Sequence, residues 1–323
     1  MSRKKVLFIG IGFYDYDQAI INEFKKLGYD VDYYSEVPKG FWYKLSMRLK
    51  FKKGIDLAVN RVNNFIVKDS ADAYDLIFVI KGEFLSSEAI KKIRSRNNNG
   101  QCLLYLWDSL DRIPIGEDKF KIYDKIYSFD RVDCDKNKDF IFNPLFFRNE
   151  FKYSEDENKQ DNDLFFLGWY HSDRFKLVKK IDLFCSANQL KSRLLLYTSY
   201  INYLLHSITG GELKGNKRFL FFSPISSNAN VEQIRRSRVV LDVAHPSQSG
   251  LTMRTIELIG SKKKIITTNS DIVNYDFYNK NNILIIDRDK PILNKSFFET
   301  PYQKIDNSVI DYYQIDKWLQ RML

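Results

Sequence analysis

Short apolar runs, each ending at a glycine or a charged residue and followed by a segment of helical period, recur along this chain. The first is KVLFIG at 5–10, followed by Gly12, a helix over about 16–27 and a strand at 30–34. Such a βαβ opening predicts a parallel, doubly wound sheet. Further strands are expected at 74–80, 102–106 and 123–129, with a helix over 86–96 and a polar turn at 97–100. The stretch 153–163 (YSEDENKQDND) is charged and lacks apolar periodicity, so it reads as a linker. The same grammar then restarts. Strands are expected at 163–168, 193–198, 218–222, 239–243, 264–268 and 283–286. Helices are expected over 173–188, 230–237 and from Gly250 onward, and 200–217 is left unassigned. The chain closes on an amphipathic helix at 309–323. The pattern is α/β throughout, with Rossmann-like domains at 1–152 and 163–307 and a terminal helix, 308–323, packing back on the first.

At 323 residues the chain is long enough for two domains. Its 44% hydrophobic and 28% charged residues are those of a globular protein. No apolar run approaches the ~18 residues that span a bilayer. The basic, apolar N-terminus runs into a strand without a small-residue cleavage site, so no signal peptide is expected. Cys102, Cys134 and Cys185 are scattered and form no C-x-x-C, which fits a reducing cytoplasm and neither a disulfide framework nor a zinc site. A net charge of +10 asks for an anionic partner. Much of it sits at 38–54, where Lys39, Lys44, Arg48, Lys50, Lys52 and Lys53 surround Phe41, Trp42, Leu45 and Leu49. That is the pattern of a helix lying on an anionic membrane, and equally of an ordinary helix with a solvated lysine face. Nucleic acid is not expected, because the remaining positive charge is interspersed among 41 acidic residues.

In open α/β sheets, ligands gather beyond the carboxyl ends of the strands. Lys81 and Glu83 follow the 74–80 strand and Asp108 follows the 102–106 strand, which makes all three functional candidates. Gly10-x-Gly12, with Asp32 about 20 residues on, resembles the start of a dinucleotide fingerprint. Asp15 replaces the third glycine, and Asp17 adds negative charge where a pyrophosphate would lie, so a tight turn facing a ligand is the expected role of Gly12. In the helix after 239–243, Leu251, Thr255, Leu258 and Ile259 form the buried stripe, while Gly250, Arg254 and Glu257 share another. Two readings of the second stripe stand. It is an anion site at a helix N-terminus, or a surface ion pair worth a few tenths of a kcal/mol.

Gly250-x-x-x-Arg254-x-x-Glu257, followed by Lys264, Ile266, Thr268 and Asn269, resembles the second-domain motif of bacterial GT-B glycosyltransferases of capsule and lipopolysaccharide synthesis. KGE (81–83), LYLWDS (104–109), YSFD (127–130) and NPLFF (143–147) are similar to segments of uncharacterised proteins of the same systems. The resemblance implies two Rossmann-like doubly wound domains facing a cleft, with a nucleotide-sugar donor on the second and a saccharide or lipid-linked acceptor on the first. It implies that Glu257 holds the donor ribose and that Arg254, with the helix start at Gly250, holds the departing diphosphate. Gly168 would let the backbone approach the phosphates, with His171 and Arg174 beside it. Cations and helix ends serve here without a metal, and the nucleotide sugar enters as substrate, not cofactor. Many retaining members carry a second glutamate eight residues before the first; Ser249 stands there in this chain, among the donor-loop residues. An inverting reaction needs a general base, for which Asp108 ranks ahead of Glu83 and His171. Lys81 and Gly12 fall to the acceptor side. The expected enzyme is a hexosyltransferase in the cytoplasm, seated at the inner face of the membrane if the basic helix binds lipid. The alternatives are a non-catalytic module of the same fold and, from the Gly10-x-Gly12 turn, a dehydrogenase.

Overall fold

A computed structural model describes residues 3–13, 15–113, 115–155, 160–171, 173–246 and 248–323. The chain divides into two compact units, Met1–Leu145 with Ile315–Leu323, and Phe146–Gln314.

The first unit holds β1 (Lys5–Gly10), β2 (Asp30–Ser35), β3 (Leu76–Ile80), β4 (Gln101–Leu106), β5 (Lys125–Ser128) and β6 (Phe140–Phe142). Their order is β2-β1-β3-β4-β5-β6, and every neighbouring pair is parallel. Val6–Ile9 and all of β3 are buried, as befits strands covered on both faces. The strand order reverses between β1 and β3, so the crevice for a ligand opens beyond their carboxyl ends. The helix Ser87–Ser95 starts where the Ser86 hydroxyl accepts from the Ala89 amide. The C-terminal segment completes this core: Trp318 is fully buried, with its ring 4.9 Å from Tyr105 and 6.1 Å from Phe78.

The second unit holds β7 (Asn162–Trp169), β8 (Ser192–Tyr197), β9 (Leu220–Phe221), β10 (Ser237–Asp242), β11 (Lys264–Thr267) and β12 (Ile283–Ile285). Here the order is β12-β11-β10-β7-β8-β9, again all parallel. The reversal falls between β7 and β10. Both units are Rossmann-like α/β structures.

Several local expectations are corrected. The basic stretch at 38–54 is two helices, Phe41–Arg48 and Lys52–Asp69. Lys50 breaks it by entering the left-handed region (φ 52°), and Phe51 N–H reaches back to Ser46 O at 2.8 Å. The terminal helix is likewise two, Asn307–Tyr312 and Ile315–Gln320, parted at Gln314, which forms a β-bridge with Phe147. The helix expected from Gly250 spans Met253–Gly260, because Thr252 is its cap and accepts from Thr255 N–H at 3.3 Å. That expected over 230–237 is Ser227–Arg235, capped by Ser226. The unassigned 200–217 contains a helix, Tyr200–Thr209. The expected linker overlaps residues 156–159, which lie outside the described residues. On either side, Tyr153 N–H donates to Gly260 O and Asp161 N–H to Arg236 O, so both flanks belong to the second unit. The units part ahead of it, between Leu145 and Phe146. Among the described residues no helix is long and apolar enough to cross a membrane.

Candidate active site

In the second unit, the loops after β7, β10 and β11 meet at the reversal point. Arg174 opens the helix Arg174–Ala187 after β7, and its Nη2 donates to Val243 O, just past β10, at 2.9 Å. Asp242, the last residue of β10, is buried and accepts from Thr255 Oγ1 at 2.5 Å. Burial pushes its carboxyl up, against the pull of Thr255 and of the positive charges of Arg254 and Arg174. Arg254 Nη1 and Arg174 Nε are buried and meet no hydrogen-bond acceptor among the described residues. A buried cationic N–H without an acceptor is costly, and an acceptor on an anionic ligand would relieve that cost.

Arg288, just past β12, ties three loops together. Its Nε and Nη2 donate to the two Asp173 carboxylate oxygens at 2.9 and 2.8 Å, and its Nη1 to Ala244 O at 2.6 Å and Thr268 Oγ1 at 3.2 Å. The Arg288 guanidinium holds the Asp173 carboxyl below its usual range. His171 lies 6.4 Å, ring to ring, from His245, and burial together with Arg174 pushes its pKa down, favouring the neutral imidazole. Asn269 Nδ2 donates to Ser249 O at 2.9 Å and to Gly250 O at 3.3 Å, fixing the loop ahead of the Met253–Gly260 helix.

Three expectations for this unit change. Glu257 is buried at 3% exposure, so it is not half of a surface ion pair. Gly250 lies in the loop before the Thr252 cap and is not the first residue of the helix. Gly168 lies inside β7, opposite Leu196, and not on the loop. Its lack of a side chain is explained by packing, since a Cβ there would stand 2.7 Å from the Phe166 ring. Ser172 and Ser247 lie outside the described residues.

In the first unit, the residues singled out beyond β3 and β4 are together. Lys81 Nζ lies 2.8 Å from Glu83 Oε2 and 3.0 Å from Asp108 Oδ2, and Arg112 Nη1 lies 3.3 Å from Asp108 Oδ1. Lys81 and Gly82 both have φ of 67°, and Gly82 N–H closes a three-residue turn on Ile80 O at 2.8 Å. A lysine there is strained and persists only if the surroundings fix it. They do. Glu36, buried at the end of β2, accepts from Glu83 N–H at 3.0 Å and Leu85 N–H at 3.1 Å. Lys119 donates to Gly82 O, and Asn63 accepts from Ser86 N–H at 2.8 Å and donates to Phe84 O at 2.8 Å. Burial pushes the Glu36 carboxyl up and the Lys119 ammonium down, and each opposes the other's shift through its charge. Gly12 has a φ of 65°, and its N–H donates to Asp17 Oδ2 at 2.7 Å.

The residues that the sequence reading missed are Asp242, Arg288, Glu36 and Lys119. Asp242 and Arg288 stand at strand carboxyl ends, the criterion that picked out Lys81. Glu36 and Lys119 carry no such signal, since only the fold brings them under the turn.

No protein-family profile and no curated protein matches the chain. Solved structures do match in fold over almost the whole length. One is a glycosyltransferase of Rickettsia africae, with a TM-score of 0.60 and 11% identity over 100% of this chain and 97% of that one. A second is the UDP-forming α,α-trehalose-phosphate synthase of Burkholderia xenovorans, solved with glucose-6-phosphate (TM-score 0.60, 10% identity, 99% and 98% covered). A third is HepE of Anabaena, solved with UDP and glucose (TM-score 0.58, 10% identity, 99% and 98% covered). At this identity the likeness is one of fold, the two Rossmann-like parallel-sheet units of the GT-B class.

Proposed function

We propose that the protein is a glycosyltransferase that moves a sugar from a nucleotide-sugar donor to a saccharide or lipid-linked saccharide acceptor in surface-polysaccharide synthesis. The observation that carries this reading is the pair of buried guanidinium N–H groups, Arg254 Nη1 and Arg174 Nε, which meet no acceptor among the described residues at the reversal point of the second sheet. As the glycosidic bond to the donor breaks, negative charge builds on the leaving diphosphate, and positive charge fixed in place beforehand lowers that barrier. Arg254 and Arg174 supply it, while Glu257 takes the ribose and the Ser249–Gly250 backbone lines the phosphate. HepE, of the same fold, was solved with UDP, and a uridine nucleotide is the first to test.

On the first unit, Asp108 is the preferred base for the acceptor hydroxyl, followed by Glu83; Lys81 and the Gly12 turn complete the acceptor side. Lys81 holds both carboxylates, so the one that releases it as the hydroxyl arrives gains the basicity the step needs. His171, neutral beside the donor arginines, is the third candidate. The exposed Phe41 and Trp42, with Lys39, Lys44, Arg48, Lys50, Lys52 and Lys53 also exposed, suit seating on an anionic membrane surface carrying a lipid-linked acceptor.

A thermal-shift screen against UDP-, GDP-, CMP- and dTDP-sugars, followed by nucleotide release with candidate acceptors, tests the proposal. Stabilisation by one donor with turnover supports it. Stabilisation without turnover for any acceptor selects the non-catalytic module, and no response to any donor contradicts both.

A further inference from the structure

The two polar sites differ in one respect that bears on the acceptor. In the second unit, Arg254 Nη1 and Arg174 Nε meet no acceptor among the described residues. In the first, the charges singled out beyond β3 and β4 meet their opposites: Lys81 is shared by Glu83 and Asp108, and Asp108 also meets Arg112. Beneath them, Glu36 and Lys119 are a second, buried pair of opposite charges. The cluster thus presents two carboxylates and two cations, with the side chains of Lys81, Glu83 and Asp108 about a quarter exposed.

We propose that Lys81, Glu83 and Asp108 select an uncharged, polyhydroxylated sugar and exclude one bearing a phosphate or carboxylate. The inference rests on the glycosyltransferase reading and names the acceptor class at that site. A sugar hydroxyl both donates and accepts, so neighbouring hydroxyls donate to Glu83 and Asp108 while accepting from Lys81. A phosphate only accepts. To reach Lys81 it must displace a carboxylate that stays within a few ångströms and repels it. The cluster cannot readily rearrange to avoid this, because Lys119 holds Gly82 O while Glu36 and Asn63 hold the backbone of residues 83–86 that follows the turn.

Saturation-transfer NMR on the full chain tests this with methyl glucoside, galactoside and mannoside against glucose 6-phosphate and glucuronate. Transfer to at least one neutral glycoside is expected, with the charged sugars at least fivefold weaker. Lys81→Met should reduce the neutral signal at least fivefold with no change in melting temperature. The double variant Glu83→Gln, Asp108→Asn, which leaves the cations unopposed, should admit glucose 6-phosphate. The inference is overturned if the charged sugars bind the parent equally well, if Lys81→Met leaves the neutral signal unchanged, or if no sugar binds. UDP binding through Arg254, measured on the same sample, separates failure of this inference from failure of the transferase reading.

Discussion

Asp17 Oδ2 accepts from the Gly12 amide at 2.7 Å and from the Tyr33 hydroxyl at 2.6 Å. The carboxylate therefore occupies the amide that a dinucleotide pyrophosphate would use, and sets negative charge beside it. NADH is expected to leave the melting temperature unchanged. Asp17→Ala leaves a Gly12 amide and a Tyr33 hydroxyl without their acceptor, at a cost of about 1–3 kcal/mol by urea denaturation.

Glu36 serves two amides of the strained loop and faces a buried lysine, so its removal leaves three groups uncompensated. Glu36→Ala is expected to cost about 3–5 kcal/mol. Glu36→Gln retains one acceptor oxygen and should cost less. Equal losses for the two variants would show that the loop does not depend on these hydrogen bonds.

Asp133 carries a pH dependence of stability. Burial, aided by Asp130 and Asp111, pushes its carboxyl up to about 6, although Leu110 N–H donates to it at 2.8 Å. A carboxyl raised on folding favours the native state fully below its unfolded value near ~4, and that contribution is lost as pH rises through the folded value. Asp133→Asn keeps an oxygen for Leu110 and removes the charge. It should therefore stabilise the fold by about 1–2 kcal/mol at pH 7 and very little at pH 4. Denaturation curves at the two pH values check the sign.

Arg288 grips Asp173 with two parallel hydrogen bonds while holding Ala244 O and Thr268 Oγ1. Lysine keeps the charge and loses the fork. Arg288→Lys is expected to weaken nucleotide binding about tenfold, roughly 1.4 kcal/mol, by loosening the loops around Arg174. Calorimetry provides the measurement.

Phe41 and Trp42 stand 71% and 76% exposed among six exposed basic residues. Cosedimentation with vesicles containing phosphatidylserine should be strong at low salt. It should weaken several-fold with added salt and with Phe41→Ser, Trp42→Ser. Binding that is insensitive to both would assign this face to solvent.

The sheets were legible in the sequence because parallel strands buried on both faces are nearly continuous apolar runs, such as Val6–Ile9 and Leu76–Ile80. Helix boundaries were less so. Lys50 gives no hint of its left-handed conformation, and Thr252 outcompetes Gly250 as the helix start through a hydroxyl that spacing alone does not reveal. Lys81, Glu83 and Asp108 could be picked out because charge beyond a strand end is conspicuous. Gly168 misled, since a glycine at a strand end reads as a phosphate loop when its cause is the Phe166 ring. Glu36 and Lys119 are far apart in sequence, and only the fold makes them partners.

The central claim is that Arg254 holds the diphosphate of a nucleotide. Titrating UDP calorimetrically into the wild-type protein and into Arg254→Ala tests it most directly. Loss of a charge-assisted contact of about 2 kcal/mol predicts a Kd at least ~30-fold weaker in the variant, with the fold intact. Equal affinity in the two proteins would contradict the assignment.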